Sequence, residues 1–381
     1  MLVAGYLTLP TGAADVAAAV DVTAAVDDTA AAGTSTAGSE TGRERRGDHS
    51  SRRPSGSIWV TDRAGDRVAV YDARSGALLA TPSTEGVADA GSADEPNDVA
   101  VARGKAYVTN EASATISVLD ARDGRLLTRL AAGPKPHHVV ATLRGDAVAY
   151  GVYGTNEVGV IDTRTGALRR LTASTLPVTA DQGVFTHSAS FSRTGRTLYV
   201  TNEVKSGDTQ LPGTVAVIDV ATGAITCEVE VGLRPSEAVA TRRGAVGYVS
   251  VRNENLLKEI DLRSCRLTGR SADLGEQVDT LSLTRDEKTM TVGLRGPNPV
   301  ARVAEVDVTT FDAADVRFWT LPGGTLTGHQ HTTPDGETTY AAFEGPSAGV
   351  AVIDHDAGSV ELLPAMGGRP HGMAFTRTRW R

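Results

Sequence analysis

The sequence contains few aromatic residues and no long apolar segment. Only 4% of its 381 residues are Phe, Trp or Tyr, so a hydrophobic core has to be built mainly from Val, Ile, Leu and Ala. No apolar run approaches the roughly 18 residues that a membrane-spanning helix requires. Helical periodicity is nearly absent outside an Ala-rich N-terminal stretch, which favours a β-rich protein without a transmembrane segment.

An excess of positive charge is also lacking. The formal net charge is −8, whereas sequence-independent binding to nucleic acids requires a basic surface that displaces counterions. We therefore expect no nucleic-acid partner. Most of the basic residues are arginines, and we interpret this preference as a bias of coding composition rather than as a phosphate-binding design.

Short motifs of several functional classes are missing. The sequence has no P-loop, no Rossmann fingerprint that opens a helix, no EF-hand loop and no Cys-x-x-Cys-His haem-attachment motif. Its two cysteines, Cys227 and Cys265, do not have the spacing of a structural zinc site. They form either a disulfide, which suits an exported protein, or two unpaired small hydrophobic side chains.

A short phrase recurs seven times and organises the chain. Apolar residues in strand-like alternation lead to an aspartate, and most copies have a glycine four residues later. The aspartates are Asp72, Asp120, Asp162, Asp219, Asp261, Asp307 and Asp354. The shortest interval is 42 residues, as from Asp120 to Asp162, and the longest is 57, from Asp162 to Asp219. This period predicts a radial repeat, because one such unit cannot bury both of its faces.

Each repeat contains four strand-like segments separated by turn residues, which is typical of a β-propeller blade. The first repeat begins at Ser57 without an inner strand, and the chain ends with an extra strand, Pro370–Phe375. We expect this C-terminal strand to complete the first blade and close the ring, which removes exposed sheet edges. The prediction is an all-β, seven-bladed propeller of four-stranded antiparallel blades over residues 56–381. We expect it to be a monomer.

Residues 1–55 differ in composition from the repeats. Ala, Asp, Thr, Gly and Ser dominate up to residue 39, and a charged segment follows; such a composition predicts a disordered tail. The first ten residues are apolar and precede small residues, like the end of a secretory signal that lacks its basic start. We therefore expect an exported protein of the extracellular space or the cell envelope.

Two repeats carry a signature that resembles a known family. Tyr107–Asn110 and Tyr199–Asn202 both read Tyr-Val-Thr-Asn, and Val158–Gly166 and Val215–Gly223 both read Val-x-Val-Ile-Asp-x-x-Thr-Gly. These segments resemble the YVTN β-propeller repeat family over roughly residues 57–377. The resemblance implies the propeller fold. It implies little about activity, since similar proteins include surface-layer and other exported proteins.

Histidines and glutamates are expected to meet on one rim of the ring. In a propeller, the innermost strand starts on the face that also holds the loop between the second and third strands. Six of the eight histidines lie at such strand starts, namely His137, His138, His187, His329, His331 and His371. Glutamates of the second-to-third loops are Glu111, Glu157, Glu203, Glu254 and Glu344. We predict that these residues line a ligand-binding central face.

Imidazoles and carboxylates at a channel mouth suit a divalent metal or acid–base chemistry. We expect a small molecule, a metal or a protein partner to bind there, with His187, His331 and His371 as candidate ligands of a divalent metal. The segment His329–Gly336 is weakly similar to lactonase-type seven-bladed propellers, which implies a lactonase-like or metal-dependent hydrolase as an alternative. A further alternative is a passive envelope scaffold whose polar centre lines a water-filled channel.

Overall fold

The computed structural model describes residues 53–85, 93–296, 300–333, 335–378 and 380. Within these residues, 28 strands form seven four-stranded antiparallel sheets, and the helical elements are two one-turn 3-10 helices, Arg252–Glu254 and Ala313–Asp315. None of the described helices has the length and apolar character needed to cross a bilayer. The predicted disordered tail comprises residues 1–55. Residues 1–52 lie outside the described residues, so the tail stays a prediction.

In every blade the strands run from the centre of the ring outwards. Blade 1 contains β28 (Pro370–Thr376), β1 (Ser57–Asp62), β2 (Arg67–Asp72) and β3 (Leu78–Ala80). Blade 2 contains β4 (Pro96–Ala102), β5 (Lys105–Asn110), β6 (Thr115–Asp120) and β7 (Leu126–Ala131). Blade 3 contains β8 (Pro136–Ala141), β9 (Ala147–Val152), β10 (Glu157–Asp162) and β11 (Leu168–Thr172). Blade 4 contains β12 (Gln182–Phe191), β13 (Thr197–Ser206), β14 (Thr209–Asp219) and β15 (Ile225–Leu233).

The remaining blades follow the same order. Blade 5 contains β16 (Pro235–Ala240), β17 (Val246–Val251), β18 (Leu256–Asp261) and β19 (Arg266–Asp273). Blade 6 contains β20 (Val278–Leu283), β21 (Thr289–Leu294), β22 (Arg302–Asp307) and β23 (Arg317–Thr320). Blade 7 contains β24 (Leu326–Thr332), β25 (Thr338–Glu344), β26 (Gly349–Asp354) and β27 (Ser359–Leu362).

The C-terminal strand closes the ring. β28 pairs antiparallel with β1, from Ser57 opposite Thr376 to Asp62 opposite Pro370. The innermost strands of neighbouring blades contact each other all the way around. The predicted seven-bladed, all-β fold with a C-terminal strand in the first blade is therefore confirmed, and β28 covers the inner edge of β1.

The core consists of apolar layers between neighbouring blades. Between blades 7 and 1, for example, Tyr340, Val350 and Val352 pack against Ile58 and Tyr71. Small and β-branched side chains suit this arrangement because they fill the space between two flat sheets at high density. The propeller therefore needs few aromatic residues.

The recurrent aspartates form the turns between third and fourth strands. In blade 3, Oδ1 of Asp162 accepts hydrogen bonds from the amides of Arg164 (2.9 Å) and Thr165 (2.8 Å), as the turn preference of aspartate predicts. The residue four positions later adopts a left-handed conformation. Gly166 does so at φ 74°, and Cys265 and Phe311 do so at φ 57° without being glycines.

A disulfide joins Cys227 in β15 to Cys265 in the turn before β19, with their Cα atoms 5.7 Å apart. The bond links the outer strands of blades 4 and 5. Of the two alternatives that the sequence leaves open for these cysteines, the structure therefore has the disulfide.

Candidate functional site

Five of the six rim histidines form one cluster at the centre of the ring. The His138 ring is central, with centroid distances of 4.7 Å to His137, 4.7 Å to His187 and 4.2 Å to His329. The fifth member, His371, lies 5.2 Å from His329 between ring centroids. Four blades therefore supply the cluster, hereafter the histidine hub.

Irregular pairing of the innermost strands places these side chains. The ladder of β8 shifts between Pro136 and Val139, so that His137 and His138 fall in the irregular segment. His187 and His329 occupy equivalent shifts in β12 and β24. A β-bulge turns a side chain away from the regular alternation of the strand. The innermost strand of every blade has such a shift, in the middle of β12 and near the start of the other six, which explains why polar side chains from many blades converge.

His331 lies apart from the hub. It follows the bulge of β24, pairs regularly with Tyr340 in β25, and stacks on Phe375 of blade 1 at 5.9 Å between ring centroids. The sequence-predicted metal ligands His187, His331 and His371 are therefore not brought together. The correction has a simple cause, since two residues beyond the bulge the strand has returned to regular pairing and has moved about 6–7 Å along its axis.

Burial keeps most of the hub uncharged. Desolvation, reinforced by neighbouring positive groups, lowers the pKa of His137, His138 and His371 well below its ordinary value and lowers the pKa of His187 to about 4. His329 differs. Burial opposes its charge, but the carboxylates of Asp98, Glu237 and Asp279 together outweigh burial and raise the pKa; Oδ1 of Asp98 lies 3.3 Å from Nδ1 of His329.

Three hub histidines have the spacing of a metal site. The candidate ligand atoms of His137, His138 and His187 all lie within 4.8 Å of one another. The Nδ1 atom of His187 lies 2.8 Å from the carbonyl oxygen of Ser236. If Nδ1–H donates to that oxygen, Nε2 keeps its lone pair, which is the usual arrangement of a metal-bound histidine. The Nδ1 atom of His137 is buried and has no hydrogen-bond partner.

A cavity of about 630 Å³ lies beside the hub. It is lined by three hub histidines, two glutamates, four arginines and several uncharged residues. The charged and histidine lining residues are His137, His187, His371, Glu111, Glu203, Arg63, Arg234, Arg252 and Arg295. The cavity is therefore rich in arginine as well as in histidine.

The predicted glutamates divide into two groups. Glu111 and Glu203 line the cavity. The other three lie elsewhere and are paired: Glu157 with Arg170 (3.2 Å), Glu254 with Lys258 (2.5 Å) and Glu344 with Arg369 (3.4 Å). Only two of the five predicted glutamates therefore belong to the cavity wall.

Glu203 is fully buried within a network of polar groups. Its Oε2 accepts a hydrogen bond from the Tyr153 hydroxyl (2.9 Å) and lies 3.3 Å from the Lys205 ammonium. Burial opposes its ionisation, but nearby positive charges, including Arg252 and Arg234, outweigh burial and lower the pKa. The long β13–β14 hairpin of blade 4 carries both Glu203 and Lys205 to the cavity. Glu203 is therefore a buried carboxylate in its charged form at neutral pH.

A second buried carboxylate, Asp279, holds two arginines. Its Oδ1 contacts Nη2 of Arg252, and its Oδ2 lies 3.2 Å from Nη1 of Arg295. Burial opposes ionisation of Asp279, but the two guanidinium groups hold its pKa well below the usual range. Nη2 of Arg252 also donates to the Ser236 hydroxyl at 2.8 Å. The wall formed by blades 5 and 6 is therefore a charged network.

Sequence reasoning selected none of the other lining residues Arg63, Tyr153, Arg234, Arg252 and Arg295. Arg63, Tyr153, Arg252 and Arg295 all follow the second strand of a blade, which is the position that predicted Glu111 and Glu203. Aligning that position across all seven repeats, without favouring acidic residues, would have found them.

One motif match does not contribute to the site. Gly345–Gly349 reads Gly-x-Ser-x-Gly, but it lies in the loop between antiparallel strands β25 and β26. A nucleophile elbow requires a turn from a strand into a helix. Ser347 is therefore not a candidate nucleophile.

Comparisons with known proteins support the fold. No protein-family profile matches the sequence, and no curated protein matches it significantly. The structure is similar to hydrazine synthase of Kuenenia stuttgartiensis, with a TM-score of 0.62 and 17% identity over 86% of this chain and 99% of that one. It is also similar to the dihydro-heme d1 dehydrogenase NirN in complex with DHE, with a TM-score of 0.59 and 14% identity over 84% of this chain and 75% of that one. At these identities the likeness shows the propeller fold.

Proposed function

We propose that this propeller binds a transition-metal ion in its hub through His137, His138 and His187. The observation that carries the proposal is the convergence of three imidazoles, His138 and His187 buried and His137 half-buried, whose ligand atoms lie within 4.8 Å of one another. A tetrahedral site with metal–nitrogen distances of about 2.0–2.1 Å needs nitrogens about 3.4 Å apart. Side-chain adjustments of about 1 Å would therefore form it.

The electrostatics of the hub support metal binding. A metal needs the neutral imidazole, and protons compete with it for the same lone pair. Because burial lowers the pKa of all three histidines, this competition is weak at neutral pH. An all-imidazole donor set suits copper and zinc better than magnesium or calcium, which prefer oxygen ligands.

The test is metal analysis with a matched control. Wild type, His187→Gln and His331→Gln are incubated with Cu²⁺ or Zn²⁺ and desalted. Their metal content is then measured by inductively coupled plasma mass spectrometry. We expect about one metal ion per chain in wild type and in His331→Gln, because His331 lies outside the hub, and a loss of at least tenfold in occupancy in His187→Gln. Absence of stoichiometric metal from wild type would refute the proposal and favour the passive scaffold.

A hydrolytic role is a second candidate, supported by one observation. Oε1 of the ionised Glu203 lies 4.0 Å from Nε2 of His187, and a carboxylate beside a metal-bound water can act as a general base. Lactone hydrolysis by the metal-loaded protein, lost in Glu203→Gln while metal occupancy is kept, would support it. If no lactone is hydrolysed, a binding role remains.

We further propose that the chain is an exported member of the YVTN-type propellers. The Tyr-Val-Thr-Asn segments support membership, and the Cys227–Cys265 disulfide suits an oxidising compartment. Cell fractionation with mapping of the mature N-terminus tests export. A mature protein found only in the cytosol with both thiols reduced would contradict it.

A further inference from the structure

We propose that the central cavity binds a small dianion, a dicarboxylate or an oxyanion, between Arg63, Arg234, Arg252 and Arg295. The position of this anion beside a metal rests on the proposed function. Anion binding itself requires only the arginines. The anion site and the metal site can therefore be tested independently of each other.

The charges around the cavity leave an excess of positive charge. Four arginines and two glutamates line the cavity, and Asp279 pairs with two of these arginines, so the arginines outnumber the three carboxylates by one. Glu95 also approaches Arg63 at 3.7 Å, but its side chain is 45% exposed and screened by solvent. Since the whole chain carries −8, this local excess of positive charge is a specific feature of the cavity.

Buried donor groups in the cavity wall lack acceptors. The Nε atoms of Arg63 and Arg252 are buried and have no hydrogen-bond partner, whereas Nε of Arg234 lies 3.5 Å from Oε1 of Glu203. The Arg252 side chain is only 7% exposed, so bulk water does not easily satisfy it. Buried polar groups in native proteins are nearly always paired. An anion bound in the cavity would supply the missing acceptors.

The arginines come from one side of the ring. Arg252 and Arg295 follow the second strands of blades 5 and 6, Arg63 follows that of blade 1, and Arg234 directly precedes β16 of blade 5. The three candidate metal ligands come from blades 3 and 4. An anion held by the arginine side would therefore project towards the metal position, and a second acidic group on it could reach the metal.

The shape of the site fits a small organic ligand. A cavity of about 630 Å³ lies within the usual range of small-molecule pockets. Guanidinium groups bind carboxylates and phosphates in paired hydrogen bonds, which favours oxyanions over halides. Dicarboxylates and inorganic phosphate share this chemistry, and direct comparison of the two separates them.

The experiment is calorimetric titration of chelator-treated, metal-free protein with succinate, phosphate and the neutral analogue succinamide at pH 7 and low salt. We expect succinate or phosphate to bind and succinamide not to bind. The dianion that binds more tightly identifies the class. Arg234→Gln should weaken binding at least tenfold.

Arg170→Gln is the matched control. The Arg170 side chain is 35% exposed and lies 3.2 Å from a glutamate, and Arg234 is 34% exposed and lies 3.5 Å from Glu203. Arg170, however, belongs to β11 and does not line the cavity. Its replacement should leave affinity unchanged. Thermal melting of both variants confirms folding.

Repeating the titration with Zn²⁺-loaded protein tests the position of the anion. We expect zinc to tighten succinate binding to wild type and to leave succinate binding to His138→Gln unchanged, because His138 is a candidate metal ligand that does not line the cavity. Equal affinity with and without zinc in wild type would contradict contact between anion and metal. Absence of dianion binding in both forms, equal binding of succinamide, or wild-type affinity in Arg234→Gln would overturn the anion site.

Discussion

Two histidine networks of this propeller differ in how completely their polar atoms are paired. Between blades 6 and 7, Nδ1 of His355 lies 2.8 Å from Glu305 and Nε2 lies 2.8 Å from the Thr339 hydroxyl, which continues to Thr332. In the hub, His137 has a buried nitrogen without a partner. A paired network stabilises the contact between blades, whereas unpaired groups are positioned for something that the chain does not supply.

The pair of Arg252 with the buried Asp279 should be the most sensitive to mutation, because removing one partner leaves a buried charge. Arg252→Gln leaves the buried Asp279 with Arg295 and the Ser236 hydroxyl as partners, and we expect a loss of about 3 kcal/mol in the free energy of unfolding. Chemical denaturation measures it. The double variant Arg252→Gln/Asp279→Asn should recover part of the loss. A single variant as stable as wild type would show that this pair contributes nothing to the fold.

The paired network between blades 6 and 7 should affect stability and nothing else. Glu305→Ala removes the acceptor of His355 and of the Trp319 indole N–H (3.1 Å), so we expect a loss of about 2 kcal/mol. Metal occupancy and succinate affinity should remain at wild-type values. If metal occupancy fell in a folded Glu305→Ala protein, the distinction between the two networks would be wrong.

A third prediction concerns pH. Burial raises the pKa of Glu237 in β16 to about 7, against opposing contributions from His329 and the Leu281 amide; Asp98 and Asp279 also face it and raise the pKa further. The folded state thus binds this proton more tightly than the unfolded state does. The protonated Glu237 makes its full contribution to stability below about pH 4.5, and this contribution is lost as the pH rises through 7.

The free energy of unfolding of Glu237→Gln should therefore exceed that of wild type by about 1–2 kcal/mol at pH 8 and by little or nothing at pH 4.5. The value at pH 8 is lowered because the side chain is partly exposed to solvent. Urea denaturation at both pH values measures the difference. An equal effect at the two pH values would mean that folding does not raise the pKa of Glu237. Glu254→Gln, at a paired glutamate outside the cavity, is the control.

The smallest effect on stability is expected inside the hub. His137→Gln removes a ring whose buried nitrogen makes no hydrogen bond, so the free energy of unfolding of the metal-free protein should fall by less than about 1 kcal/mol. Metal occupancy should nevertheless be lost. A destabilisation as large as that of Glu305→Ala would assign His137 a structural role.

The fold was predictable because its signals are local. Each aspartate turn forms hydrogen bonds within three residues, as Asp162 does, and seven such turns reveal the repeat. The side of the ring on which the histidines lie followed from strand order. The choice between His329 and His331 did not, because a β-bulge depends on the register between two strands and leaves no mark in either strand alone.

The arginines were missed for a different reason. Their abundance suggested a compositional bias, and composition does not tell which residues share a cavity. Arg63 and Arg295 are more than 200 residues apart in the sequence, yet both line the same cavity. Only the closure of the ring brings them together.

The strand that closes the ring also supplies His371, whose Nδ1 lies 3.1 Å from the Asn97 carbonyl and whose Nε2 lies 3.2 Å from Arg295. A polypeptide that has not yet joined its last strand to its first lacks one wall of the cavity. Formation of the proposed binding cavity therefore depends on closure of the ring, because an open chain would not hold His371 beside Asn97 and Arg295.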